Sequence, residues 1–301
     1  EDAVKVGRAL GRMHPRGIIG AAAGSSAAAR AILAAATAGA AGAGAAVWEF
    51  GECFDSQFTY CVSRSGADFG IYADGAETLR IYSRGGLPPS VAESRKLLDL
   101  LETGGSDPAS PGDYGTILSM PGLRELYRVE LVKSAVCSLA GMTVSVKCPG
   151  QAVQSLLEDA LTQLGCRLGE DGITLQVSAD GRNVSVYQTV SDYIFTDRVL
   201  LLCCMDLFRR GQDVSVPASA PRVLDRLAAE RGRRAFRYED GFSSPDDHSA
   251  RHLGIRQPFL RDGLMLGIRL LSLLKENRCS LEELERRLPS YGMVSRTVPA
   301  G

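Results

Sequence analysis

The chain has 301 residues, of which 45% are hydrophobic and 23% charged, and its formal net charge is −1. This length favours two or three domains of ordinary size. The near-neutral charge gives no electrostatic reason to expect nucleic acid or an anionic membrane as a partner. The eight cysteines include no C-x-x-C pair and the chain has only three histidines, so we predict no zinc site and reduced, mostly buried thiols in a cytoplasmic protein.

An alanine-rich stretch near the N-terminus is the one segment that could be mistaken for a membrane span or a signal peptide. Arg30 interrupts it and alanine is only weakly apolar, so we predict neither. We predict instead a helix that starts after the Ser25-Ser26 cap and ends in the glycine-containing region 39–44.

Helical and strand patterns alternate along the whole chain, which indicates an α/β fold with parallel or mixed sheets. Ser280 and Glu283 form a capping-box pattern at the start of the last helix. The remaining helices are predicted at 3–13, 90–102, 150–165, 197–211, 220–232 and 263–278, and strands at 17–20, 45–51, 142–148, 213–217 and 234–239.

Two further stretches each predict a strand, an Ala-Asp-Gly turn and a second strand. They cover 70–83, with the turn at Asp74-Gly75, and 173–188, with the turn at Asp180-Gly181. Asp-Gly suits the type I′ turn of a tight hairpin, so turn chemistry is the favoured interpretation of both aspartates. Residual contact of Asp74 and Asp180 with a ligand is the alternative.

Three stretches of the chain carry a resemblance to a known family. They are the opening helix with the following G-I-I-G-A-A-A-G-S-S at 17–26, the run G-L-P-P-S-V-A-E-S-R-K-L-L-D-L-L-E at 86–102, and D-G-L-M-L-G-I-R-L-L-S-L-L at 262–274, which continues into S-L-E-E-L and L-P-S-Y-G. Together with the order of elements they resemble the α-D-phosphohexomutases, the family of phosphomannomutase, phosphoglucomutase and phosphoglucosamine mutase.

The resemblance implies a division of the chain into three α/β units with mixed sheets. They are expected at 1–118, at 119–194 in shortened form, and at 195–301. The family's N-terminal strand and its fourth domain are expected to be missing, because the chain stops at Gly301 before a fourth domain could form.

The resemblance also implies what the family's chemistry needs. A phosphorylated serine in a T-A-S-H-N-P-type loop carries the phosphoryl group, and a D-x-D-x-D loop holds Mg²⁺, which prefers clustered carboxylate oxygens. A further loop reads the sugar hydroxyls, and the fourth domain supplies a phosphate cradle.

The chain departs from this pattern at three places. The serine loop is expected within 71–79, where the sequence has neither serine nor histidine. The metal loop is expected at 178–183, where Asp180 is the one carboxylate left and Arg182 stands at a ligand position. A cation there opposes Mg²⁺. Alanines at 21–23 stand where the family has an Asp and an Arg. The family's Mg²⁺ is therefore expected to be lost, and no metal site, cofactor or catalytic residue is predicted.

Two more groups of residues are candidates for residual ligand binding. Ser25 and Ser26 are expected to cap a helix, although a helix N-terminus can also hold an anion. Asp247 and His248, in the cluster 246–252 with a second histidine, could form a metal site or an acid/base pair. For this cluster the favoured interpretation is a solvated loop.

These observations favour a phosphohexomutase-like protein that has lost mutase activity and acts in binding, regulation or assembly. Phosphoryl transfer draws its rate from positioning and charge neutralisation, and here carrier, metal loop and phosphate cradle all depart from the family. The alternative is a divergent, active sugar-phosphate mutase. Expected partners are a second copy or another protein, with a contact near 291–298, and weak sugar-phosphate binding is a further possibility; neither nucleic acid nor a membrane is expected.

Overall fold

The computed structural model describes residues 1–76, 78–103, 109–110, 112–188, 193–238 and 246–291. Within these ranges the chain forms the expected α/β fold, with three separate sheets and helices packed on them. Two sheets mix parallel and antiparallel pairs, and the third is one parallel pair. No helix in the described ranges combines the length and apolar character needed to cross a membrane.

Five strands form the first sheet. They are β1 (Ile18–Ala23), β2 (Ala46–Glu52), β3 (Phe69–Ala73), β4 (Leu79–Ser83) and β5 (Ile117–Ser119). The strand order is β4-β3-β1-β2-β5, and β4 runs antiparallel to β3 while the other pairs are parallel. The central strand β1 is buried on both faces, with Ile19 and Ala21 in one core and Ala22 in the other.

Four helices cover this sheet. They are α1 (Asp2–Met13), α2 (Ala27–Gly42), α3 (Asp55–Ser65) and α4 (Val91–Glu102). The alanine-rich α2 lies on one face and α3 on the other, since their buried residues belong to different cores. Small residues let α1 and α2 touch through their backbones: a Cβ on Gly7 would lie 1.9 Å from Ala36 O, and one on Gly39 would lie 2.3 Å from Val4 O.

Four strands form the second sheet, in the order β7-β6-β8-β9. Their bounds are Thr143–Lys147 (β6), Arg167–Leu168 (β7), Ile173–Val177 (β8) and Val184–Tyr187 (β9). Its helices are α5 (Gly122–Ser134), α6 (Gln151–Gln163), α7 (Thr196–Arg209) and α10 (Gly263–Asn277). Gly267 of α10 brings that helix onto the sheet, because a Cβ there would lie 3.3 Å from both Leu175 and Val184.

The third sheet is the parallel pair β10 (Val214–Pro217) and β11 (Ala235–Tyr238). The helices α8 (Val223–Ala229) and α9 (Asp247–Arg256) pack on it, and α11 (Leu281–Glu285) packs on α7. All eight cysteines are free thiols, and five of them are buried.

The predicted element pattern is confirmed in most places. The two hairpins are present, with β3 antiparallel to β4 and β8 antiparallel to β9. Their connections, 74–78 and 178–183, are longer than the two-residue type I′ turn, and Gly75 does not adopt a positive φ, so that geometry was wrong. The capping box of Ser280 with Glu283 forms as predicted.

Some expectations need correction, and one lies outside the described residues. The alanines at 21–23, expected in a loop, belong to β1, where they are buried and pair with β2 on one side and β3 on the other. The helices α3 and α5 were missed, and the cluster from Asp247 onward is the helix α9 instead of a solvated loop. The contact expected near 291–298 lies outside the described residues after Tyr291.

The strands of each sheet come from one stretch of the chain. The strands of the first sheet lie within 1–118 except for Ser119, those of the second lie within 119–194, and those of the third lie within 195–301. The unit boundaries themselves stay predictions.

Candidate functional site

The two Asp-Gly hairpins meet at the N-terminus of α3. Ser56 N, in the first turn of α3, donates a hydrogen bond to Asp180 O at 3.1 Å. From the other hairpin, Arg80 on β4 forms an ion pair with Asp74 of its own turn at 3.2 Å and one with Asp55, the first residue of α3, at 2.6 Å. The positions that the sequence predicted for a serine loop and a metal loop are therefore neighbours in space, separated by the start of one helix.

Asp55, the first residue of α3, occupies the centre of this junction. Its side chain is fully buried and accepts hydrogen bonds from three neighbours. Arg80 Nη1 lies 2.6 Å from Oδ2, Arg182 approaches through Nε at 2.8 Å and Nη2 at 3.0 Å, and Tyr82 Oη donates to Oδ1 at 2.7 Å. We call Asp55, Arg80, Tyr82 and Arg182 the Asp55 cluster.

The Asp55 cluster is an ion network in which each charge has a partner. Arg182 also donates to Tyr82 Oη at 2.5 Å, and its guanidinium lies over the Tyr82 ring, 5.4 Å from the centroid. Burial opposes the charge of Arg182, but the hydrogen bonds and charge of Asp55 outweigh it and raise the pKa of this guanidinium. Burial and the nearby Asp55 carboxylate raise the pKa of Tyr82. Both arginines therefore stay charged and Tyr82 stays protonated.

Asp74 and Asp180 organise their turns. Asp74 Oδ1 accepts hydrogen bonds from Ala76 N at 2.9 Å and Thr78 N at 3.2 Å. Asp180 Oδ1 accepts from Arg182 N at 3.0 Å and from the hydroxyl of Ser178. These are the local bonds typical of aspartate in turns, and they engage Oδ1 of each carboxylate.

Of the two serines before α2, Ser26 is the helix cap. Ser26 Oγ accepts a hydrogen bond from Ala29 N at 3.0 Å, which satisfies one of the free donors at the helix start. Ser25 is exposed and its carbonyl accepts from Arg30 Nη1 at 2.7 Å. These serines lie on a different loop from the Asp55 cluster, and no hydrogen bond in the described residues joins them to it.

The pair Asp247 and His248 lies at the start of α9, apart from the Asp55 cluster. Asp247 forms an ion pair with Arg251 at 2.7 Å, one helical turn later. His248 is exposed, and the acid/base pairing of these two residues stays a prediction. Arg251 in turn donates to Pro88 O, which ties α9 to the first unit.

The residues at the expected metal loop do not fit Mg²⁺. A magnesium ion prefers carboxylate or phosphate oxygens in octahedral array. Here Asp180 Oδ1 is engaged in its turn, and position 182 carries a guanidinium, which pairs with Asp55, in place of a carboxylate. Across the described ranges, no group of three His, Cys, Asp or Glu side chains is placed to hold a metal ion.

Sequence reasoning missed Asp55, and with it the purpose of Arg80 and Tyr82. The signal was present in the spacing of Phe54, Phe58 and Cys61, which follows one face of a helix that Asp55 begins. No family motif marks this aspartate. Its partners Arg80 and Arg182 follow it by 25 and 127 positions, so the pairing became visible only in the fold.

Comparison with known proteins gives a likeness in fold alone. No family model matches the chain, and no curated protein sequence matches it. A phosphoglucomutase/phosphomannomutase family protein from Burkholderia thailandensis superposes with a TM-score of 0.72 at 17% identity, covering 96% of this chain and 76% of that one. A protein of Thermus thermophilus, assigned provisionally as a phosphomannomutase, superposes with a TM-score of 0.69 at 16% identity, covering 95% and 78%. The chain therefore has the fold of the phosphoglucomutase/phosphomannomutase proteins, as its resemblance to the α-D-phosphohexomutases led us to expect.

Proposed function

We infer that this protein is a phosphohexomutase-like chain without mutase activity, kept for binding or assembly. The observation that carries this proposal is the Asp55 cluster, which fills the junction of the two hairpins with the chain's own charges. In a working phosphotransferase that space has to admit a phosphorylated substrate. Here a buried carboxylate already neutralises the two arginines that could have received a phosphate.

The chemistry of the junction supports the same conclusion. Phosphoryl transfer depends on a positioned acceptor, a metal ion and cations that neutralise the developing charge. The described residues of the 74–78 turn offer one carboxylate and no serine or histidine, and that carboxylate is bonded to its own turn. The cations Arg80 and Arg182 are present, but they face Asp55.

A direct assay tests the proposal. Purified protein is incubated with glucose 1-phosphate or mannose 1-phosphate, Mg²⁺ and a hexose bisphosphate activator, beside an active phosphoglucomutase as control. We expect no conversion above the rate without protein. Calorimetric titration with Mg²⁺ alone is expected to show no micromolar binding, because one engaged carboxylate offers too few free oxygens.

The alternative is a divergent, active sugar-phosphate mutase, and one observation favours it. Arg80 and Arg182 converge from the two hairpins on a single point, an arrangement that could hold a phosphate if Asp55 withdrew. Turnover that survives Asp180→Ala would indicate an unrecognised catalytic site. Turnover that this substitution abolishes would place a functional metal loop at 178–183, and either result would replace our proposal.

A further inference from the structure

The strand β5 is an open edge of the first sheet. It pairs with β2 on one side, and no second strand pairs with it in the described ranges. In a parallel ladder, alternate residues of a strand bond to a given neighbour. Thr116 O accepts a bond from β2 and Met120 N donates one to it, so the even-numbered residues face β2. The N–H and C=O groups of Ile117 and Ser119 therefore point toward the open edge.

The side chains around this edge are apolar and exposed. Ile117 is 46% exposed and Leu118 49%, although successive strand residues point to opposite faces of a sheet. The described residues include nine exposed large hydrophobic side chains, and six of them lie between 114 and 129. Edge strands are usually protected by lysine, proline or a bulge, and β5 contains neither lysine nor proline.

We propose that β5 pairs antiparallel with β5 of a second copy of this chain, about a two-fold axis at Leu118. The edge is symmetric about this residue. Ile117 of each copy then faces Ser119 of the other, and each such pair exchanges its two outward N–H···O=C bonds. The Leu118 side chains of the two copies meet at the axis, and no outward backbone group of Ile117 or Ser119 is left without a partner.

The helix that follows β5 supports a second copy as the occupant. Only Met120 and Pro121 separate β5 from α5, whose Leu126 and Val129 are also exposed. The same exposed side of α5 carries one acid, Glu125, and one base, Arg128, on successive turns. Neither side chain forms an ion pair within the described residues.

This mixture of charges is self-complementary. A two-fold axis places a surface against its own copy, so a patch of one sign would repel itself while a patch carrying both signs can pair. The inference rests on the proposed function in that it names a partner for the binding role. Its test does not depend on the activity assay: an inactive monomer would overturn this inference alone, and an active dimer would overturn the proposed function alone.

The experiment measures the mass of the full chain by sedimentation velocity and by light scattering, from about 1 to about 100 µM protein. We expect a reversible dimer. Ser119→Pro removes an N–H that faces the open edge and leaves the bonds to β2 intact, and Leu118→Lys places two like charges at the axis. Each substitution is expected to weaken dimerisation at least about tenfold, which corresponds to about 1.4 kcal/mol. Leu168→Lys, on the edge strand β7 of the second sheet, is the matched control and is expected to leave the dimer unchanged.

A crosslink keeps the proposal falsifiable if one of these variants fails to fold. Leu118→Cys places two thiols across the axis, where facing Cβ atoms of an antiparallel pair are close enough for a disulfide. Oxidation with diamide is expected to give a covalent dimer of this variant, but not of the wild-type chain or of Leu168→Cys. A wild-type chain that stays monomeric at every concentration would overturn the proposal. So would a dimer that persists in both Ser119→Pro and Leu118→Lys while Leu118→Cys fails to crosslink.

Discussion

Two buried aspartates begin two helices of this protein, and their surroundings differ. Asp55 starts α3 and is surrounded by two guanidinium groups and a phenol. Asp262 caps α10 through Met265 N at 3.0 Å and accepts a hydrogen bond from Tyr127 Oη at 2.7 Å. Burial raises the pKa of Asp262 to about 6, although its hydrogen bonds and the charge of Arg261 oppose that rise.

The two aspartates show two ways of stabilising a buried carboxylate. Asp55 is stabilised by charges that come from both hairpins, so its role is to connect distant segments. Asp262 accepts its hydrogen bonds from its own helix and from Tyr127, and neither donor is charged, so it can be protonated without the loss of an ion pair among the described residues. Removing the first carboxylate should therefore lower the stability at neutral pH, while removing the second should change how stability depends on pH.

The largest effect is expected from Asp55→Ala. It leaves Arg80 and Arg182 facing each other without their shared anion, and loss of one partner of a buried ion pair typically costs about 3–5 kcal/mol. Because the arginine side chains remain 42% and 32% exposed, water screens part of the repulsion, and we expect a value near about 3 kcal/mol. Urea unfolding at neutral pH measures it. Asp2→Ala, on an exposed helix start, is the control, and an equal loss there would contradict a special role for the Asp55 cluster.

A pH-dependent effect is expected from Asp262→Asn. The folded-state pKa is raised, so the folded chain holds a proton that the unfolded chain has lost between about pH 4 and pH 6. The wild-type free energy of unfolding should therefore fall as pH rises through this window, by about 2 to 3 kcal/mol, and stay level above it. The asparagine variant lacks this component. Unfolding curves of both proteins from pH 4 to 8 test it; parallel curves would show that Asp262 has an ordinary pKa.

The smallest effect is expected for the difference in stability between the variants of Arg182 and Arg80. Arg182→Gln removes two bonds to Asp55 and one to Tyr82, whereas Arg80→Gln removes one bond to Asp55 and one contact with Asp74. We expect Arg182→Gln to cost about 1 kcal/mol more than Arg80→Gln. A double variant that combines either arginine substitution with Asp55→Asn should lose less free energy of unfolding than the two single variants added together, because the residues share one network. Strict additivity in urea unfolding would argue against the network.

Much of the fold followed from local pattern. The cap at Ser26, the capping box at Ser280 and the two hairpins are set by residues a few positions apart, and such signals can be read directly from a sequence. The Asp55 cluster could not be predicted in this way, because its members lie up to 127 residues apart and meet only when the hairpins pack on α3. The resemblance assigned the two turns to the positions of two family loops, but it predicted neither their contact with α3 nor a partner for Arg182.

The bidentate contact of Arg182 with Asp55 also constrains how this sequence can change. Replacing Arg182 by aspartate, the residue type that a metal loop would want, would set a second carboxylate against the buried Asp55 with Arg80 as the remaining cation. That single step is unfavourable before any metal could bind. An acidic residue at position 182 is therefore expected to be tolerated only together with a change at position 55 that removes the buried carboxylate.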